Sequence, residues 1–241
     1  MDPTFMGETL LRLVDGVPLL LKLVSVSLGL GFIVAVLVAF ARLSRVAPLR
    51  GLAWSYVFLF RGTPLLVQIF LIYYGLGQFP GVRESFLWPF LRQPYWCAIL
   101  ALTLNTGAYG GEILRGGIQS VPAGQIEAAR ACGMSGLLLL RRIVLPIALR
   151  QALPAYGNEM ILMVKATSLA STVTLMEVTG IAHRIISDTY RAIEVFVVAG
   201  SIYLLLNFVL TRAVRWLEWR LSPHLREAPS VPPATGAALA H

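Results

Sequence analysis

Glu159 and Lys165 lie inside one long apolar run, and both are costly there. A charged side chain at the centre of a bilayer costs about 2.5–3.5 kcal/mol, so a charge kept at that depth implies a partner or a ligand. The two are six positions apart. On a helix that is roughly 120° of rotation, so they do not form an intrahelical pair, and each needs another helix, a ligand or water. Glu159 beside Asn158 suits a cationic solute: the carboxylate accepts from a guanidinium or ammonium, and the amide orients the rest. The competing reading of Glu159 is a structural ion pair with a neighbouring helix. Gln68 is a polar group inside a second apolar run. It serves either an interhelical hydrogen bond worth about 0.6–2 kcal/mol or the lining of a solute path. Glu112 and Arg115, three apart, can pair on one helix face near the inner interface.

Catalytic chemistry is not written into this chain. It has no G-x-x-x-x-G-K-[ST] loop to cradle phosphates, so it is not itself an ATPase, and it has neither H-E-x-x-H nor a G-x-S-x-G elbow. The three histidines are scattered, which leaves no metal site. Cys97 falls in a span and Cys132 in a polar segment, so they cannot meet as a disulfide, and both are read as packing residues. A membrane enzyme therefore ranks last among the function classes considered.

The elements that must carry these residues are membrane spans. Hydrophobic residues make up 57% and charged residues 13%, with mean hydropathy +0.73, too apolar for an ordinary soluble domain. The net charge of +8 raises nucleic acid as a partner, but the basic residues are scattered through loops and form no aromatic platform. No nucleic acid is expected, and positive-inside topology accounts for the charge. The pattern predicts an all-α polytopic protein with five spans, at about residues 19–41, 63–77, 95–113, 154–175 and 195–210. Pro48 and Gly51 read as breakers before the second span, and Arg61 is placed at its cytoplasmic edge, with Gly62 and Pro64 bending or starting the helix. The mixed charges of 183–194 read as a solvated loop. Residues 1–18 are expected to form an extracytoplasmic segment without a cleavable leader, 19–221 the five-span unit, and 222–241 a disordered cytoplasmic tail.

Residues 120–171 are the most informative stretch. Pro122 suits a helix start and Gly133 a stop, giving a short helix over 122–132, with a second helix from Ser135 to about Ile143. Ala128, Ala129 and Ala131 leave the first helix thin on one side, with Glu127 and Arg130 as charged handles. That shape suits insertion into another protein's groove. Glu127-Ala128-Ala129, Gly133 and Ile143-Val144-Leu145-Pro146 together resemble the EAA motif of membrane subunits of ATP-binding-cassette importers. Arg61-Gly62-Thr63-Pro64-Leu65-Leu66-Val67-Gln68, Asn105-Thr106-Gly107-Ala108-Tyr109 with Glu112, and Leu153-Pro154-Ala155-Tyr156-Gly157-Asn158-Glu159 are similar to the polar amino-acid branch, above all its histidine, basic amino-acid and opine permeases.

The resemblance implies a type I importer permease whose loop, about 115–150, docks on the ATPase subunit. Gln125, Glu127, Ala128, Ala129, Arg130 and Gly133 would make that coupling helix. Asn158, Glu159, Gln68 and Asn105 would line the solute path. No cofactor is expected on this chain, since ATP and magnesium would sit on the partner ATPase dimer. A solute-binding protein would deliver polar amino acids, basic ones or opines, from outside, and the lipid of the bacterial inner membrane would surround the spans. Lys165-Ala166-Thr167-Ser168-Leu169 resembles a pattern of the branch that does not depend on substrate, so Lys165 is assigned to the helix or the subunit interface. An odd number of spans argues against an inverted repeat within the chain. A second, related permease subunit would complete the pathway about a pseudo-twofold axis. The alternative, an ion-coupled secondary transporter with Glu159 as coupling group, leaves the EAA segment unexplained.

Orientation follows from the basic residues. With the EAA loop inside, the cytoplasmic side holds Arg42, Arg45 and Arg50, then Arg115, Arg130, Arg141, Arg142 and Arg150, then Arg212, Arg215, Arg220 and Arg226. The outside holds only Arg12, Lys22, Arg83, Arg92, Arg184 and Arg191. That bias puts the amino terminus outside and the carboxyl terminus in the cytoplasm.

Overall fold

The computed structural model describes residues 2–221, and the described residues contain helices and no strand. The expected disordered tail, 222–241, lies outside them. In chain order the helices are α1 (Pro3–Val14), α2 (Val17–Leu43), α3 (Ala47–Gly62), α4 (Leu65–Gln78), α5 (Pro94–Gln119), α6 (Ala123–Ala131), α7 (Gly136–Val173), α8 (Val178–Thr189) and α9 (Ala192–Leu221). The loop between α4 and α5 holds two single helical turns, Pro80–Arg83 and Trp88–Leu91.

α5 is the axis of the bundle, with α2 along one side and α7 and α3 against the others. Its glycines make that close approach feasible. A Cβ on Gly111 would stand 2.6 Å from Val38 Cγ1, and one on Gly117 would stand 2.6 Å from the Ala148 carbonyl oxygen, a backbone atom with little room to yield. The main core gathers Leu13, Leu20, Leu23, Leu102, Val178 and Val195 from five helices. α1 thus shares the core of the main helical unit. Its first turn is also clasped to the far end of the chain: the Asp2 N–H donates to Glu194 Oε1 at 3.0 Å, and the Arg191 guanidinium lies 4.0 Å over the Phe5 ring. The Thr4 hydroxyl, donating to Asp2, holds that exposed carboxyl below its ordinary value.

Residues 3–43 and 192–221 are long and apolar enough to cross a membrane as helices. Two bent pairs meet the same test together, α3 with α4 across a 107° elbow and α7 with α8 across 49°. α5, at 26 residues, is about 39 Å long, enough to span hydrocarbon, but it is the sheltered central helix and carries Asn105, Glu112 and Arg115.

Five expectations change. Pro48 and Gly51 do not break the chain: Pro48 sits in the first turn of α3, where its missing N–H costs nothing, so a helix precedes the expected second span. Arg61 is not at an end of the bundle. It ends α3 beside Tyr109, near the midpoint of α5, and so lies at mid-depth of the bundle. The helix expected after Ser135 and the span expected from 154 form one continuous helix, α7. A π turn at Leu140–Val144 carries it past Pro146, with Leu145 N–H bonded to Leu140 O, and Pro154 lies inside. The solvated loop over 183–194 is largely α8, whose apolar face, Val178, Ala182 and Ile185, joins the core. The last span also runs to Leu221 without a break.

Candidate functional site

The α3–α4 elbow is held open by amide side chains. Breaking a helix leaves its last carbonyls without donors, and buried carbonyls must find them. Gln68, 5% exposed, turns back from α4, and its Nε2 donates to Phe60 O at 2.8 Å, Thr63 O at 3.0 Å and Thr63 Oγ1 at 2.9 Å. Asn105 of α5 extends the network, with Nδ2 donating to Gln68 Oε1 at 3.2 Å and to Phe60 O at 3.4 Å. Of the two readings of Gln68, hydrogen bonding is the one seen here.

Beside the elbow lies a cavity of about 450 Å³, walled by Arg61 and Thr63 at the elbow, Asn105 and Tyr109 of α5, and Glu159 and Leu162 of α7. Glu159 is 7% exposed and accepts no hydrogen bond from any described residue. The charge that acts on it is Arg61, and no ion pair closes between them. Among the residues expected in the solute path, the structure therefore brings Asn105 and Glu159 together on the cavity wall. Gln68 stands behind that wall. Asn158, about 100° further round α7, is exposed on another face and does not reach the cavity. Lys165 is exposed on that outer face too, seven residues from Asn158. Arg61 and Tyr109 were missed as cavity residues. The break signal of Gly62 and Pro64 was legible, but only α3 brings Arg61 to it.

Two turns beyond Asn105 along α5, Glu112 pairs with Arg115 as expected, at 2.7 Å from Nη2. It also pairs with Arg42 Nε of α2 at 2.9 Å, which ties α2 to α5. A second unanticipated carboxylate, Glu177, is fully buried at the start of α8. It accepts from Gly180 N–H at 3.0 Å and from the Tyr203 hydroxyl at 2.6 Å, which links α8 to α9.

α6 presents the second candidate surface. Gln125, Glu127, Ala128 and Arg130 are exposed, whereas Ala129 is buried against Val121, Leu139, Val144 and Ala148. Gly133, at φ +78°, closes the helix: its N–H donates to Arg130 O at 2.9 Å, and Met134 N–H reaches Ala129 O at 3.0 Å. This paired closure requires a left-handed residue, which glycine supplies without strain. The helix stands out as a short, rigid, mostly exposed element rooted by one alanine. Leu137, 77% exposed, continues the surface. Cys132, expected to pack, is exposed there, while Cys97 is buried.

Residues 27–223 match the family of binding-protein-dependent transport system inner membrane components. The chain belongs to this permease family. The permease is 59% identical over 226 residues to the octopine transport system permease protein of Rhizobium meliloti, covering 94% of this chain and 92% of the relative. To the nopaline transport system permease protein of Agrobacterium fabrum it is 58% identical over 227 residues, 94% of each chain. To the histidine/lysine/arginine/ornithine transport system permease protein of Salmonella typhimurium it is 44% identical over 211 residues, 87% of this chain and 90% of that one. A crystal structure of an amino acid ABC transporter with histidines superposes with a TM-score of 0.82 at 33% identity, covering 91% of this chain and 99% of that chain. The permease is thus the membrane-spanning subunit of an ATP-binding-cassette system, which implies an ATPase and a solute-binding protein as partners and a multi-pass place in the inner membrane.

Proposed function

We propose that this permease imports polar amino acids bearing a cationic group, basic amino acids or opines, and that Glu159 receives the cation. The observation that carries this reading is a buried carboxylate on the wall of an amino-acid-sized cavity, with none of its acceptor capacity used by the described chain. An intramembrane carboxylate left in that state is matched by a guanidinium or ammonium, which it can bind through charge-assisted hydrogen bonds. The octopine, nopaline and histidine/lysine/arginine/ornithine permeases it resembles are named for solutes that carry such groups.

α6 docks on the ATPase, which holds the ATP and magnesium, and the solute-binding protein delivers from the opposite side. The spans are α2, the α3–α4 elbow, α5, α7 with α8, and α9, with the amino terminus outside and the carboxyl terminus in the cytoplasm. A second, related permease covers the outer face of α7, because a bare Lys165 facing lipid is costly.

The test is solute-stimulated ATPase activity of the reconstituted complex with its binding protein, wild type against Glu159→Gln, with arginine, histidine, an opine and glutamine. Loss of a charged hydrogen-bond partner, about 1.5–3 kcal/mol, lowers the response to the cationic solutes roughly 10- to 150-fold and spares glutamine. An equal fall for all four solutes, or none, makes Glu159 structural.

A further inference from the structure

We propose that Arg61 is the carboxylate-binding residue of the cavity, so that the permease recognises a zwitterion by both ends. This rests on Glu159 as the cation site and adds the opposite pole.

Arg61 and Glu159 belong to different helices and share the wall of one cavity, whose size falls in the ~300–1,000 Å³ range of small-molecule sites. Their charges act on each other across it without closing an ion pair. The gap between them therefore presents an anion at one side and a cation at the other. Arg61 Cζ lies over the Tyr109 ring, 5.1 Å from its centre. This cation–π contact uses none of the N–H donors as hydrogen bonds, and no described residue accepts a hydrogen bond from Arg61. Five donors in a planar fork match a carboxylate in two-point contact. The position is also braced: Arg61 ends α3, where a cation complements the helix terminus, and the Gln68 network fixes the elbow immediately after it. Lysine at this place would keep the charge but lose the fork.

Basic amino acids and opines share what this geometry requires, a carboxylate and a cationic nitrogen in one molecule. Agmatine, which is arginine without its carboxylate, isolates the two poles. The experiment measures equilibrium binding of radiolabelled arginine and agmatine to the permease–ATPase complex in nanodiscs, without the binding protein. The wild type, Arg61→Gln, Arg61→Lys and Glu159→Gln are compared.

Wild type is expected to prefer arginine at least tenfold. Arg61→Gln cuts that preference to below threefold by weakening arginine, while agmatine binds as well or better because a competing cation is gone. Arg61→Lys recovers part of the preference. If Arg61→Gln weakens both ligands by the same factor, Arg61 merely supports the elbow and the proposal fails; it fails equally if the preference for arginine survives. Glu159→Gln separates the two ideas. It weakens both ligands if the cation site is right, and unchanged binding of both removes the Glu159 reading while the Arg61 comparison still stands or falls on its own.

Discussion

Replacing Gln68 with alanine should unlatch the elbow at a cost of about 2–5 kcal/mol. Two hydrogens on Nε2 serve Phe60 O, Thr63 O and Thr63 Oγ1, and Oε1 accepts from Asn105. That is three bonds' worth, at about 0.6–1.7 kcal/mol each inside a bilayer. After the change Asn105 still reaches Phe60 O, at 3.4 Å, but Thr63 O has lost its side-chain donor. The assay is unfolding in mixed micelles of rising dodecyl sulfate content, followed by tryptophan fluorescence. Asn105→Ala removes one good bond and one long one, and should cost about 1–2 kcal/mol. Because the two amides share a bond, the double variant should fall short of additivity by about 1 kcal/mol. A loss below about 0.5 kcal/mol for Gln68→Ala, together with a tenfold drop in solute affinity, would refute this reasoning. It would make Gln68 a solute contact and leave the elbow to the backbone alone.

Three further outcomes are expected. Gly133→Ala puts a Cβ on a left-handed residue at φ +78°, a strain of about 1–2 kcal/mol. It should weaken ATPase docking roughly 5- to 30-fold in a titration while dodecyl sulfate unfolding of the bundle stays put; unchanged docking would separate the cap from coupling. Gly117→Ala drives a Cβ against the Ala148 carbonyl and should destabilise the α5–α7 packing by about 1–3 kcal/mol in the same unfolding assay, whereas a neutral result would show that the two helices part freely there. The amino-terminal clasp should depend on acid. Asp2 sits below its ordinary value, first through the Thr4 hydroxyl, so its contribution is complete above about pH 4 and fades as pH falls through the lowered folded value. Amide exchange at Thr4 and Phe5, corrected for intrinsic rates, should show constant protection from pH 8 to 5 and a loss below 4; a flat profile down to pH 2 would mean that the carboxylate does not hold the turn.

Where local chemistry decides structure, the sequence was readable. Pro122 and Gly133 bracket α6 within a residue, because a proline at a helix start and a glycine at its close follow from backbone geometry. Gly62 and Pro64 marked the elbow for the same reason. The same rule was misapplied at Pro48, which opens α3 and does not end anything. Losing α3 also lost Arg61, whose place in the cavity depends on the helix that leads to it. α8 was hidden by its charges: Arg184 and Asp188 lie on its outer side, while the apolar face that packs was not counted. Long-range partners were illegible by nature. Nothing near Glu112 announces Arg42, 70 residues earlier, and Glu177 meets Tyr203 only because α9 folds back along α8.

α7 begins beside α6 and passes through the whole bundle, carrying Glu159 on its 23rd step from Gly136. At 1.5 Å per residue that is a lever of about 35 Å, so a 5° tilt at its Gly136 end swings the acid by about 3 Å, roughly the length of a hydrogen bond. Pro154 is a joint in the lever near its far end, since it withholds the N–H that would have tied it to the Arg150 carbonyl, and the π turn at Leu140–Val144 is another near its start. Movement that entered at α6 would reach the cavity as a sideways stroke of its negative wall, with a gain set by the length of one helix and a slack set by the interruptions along it.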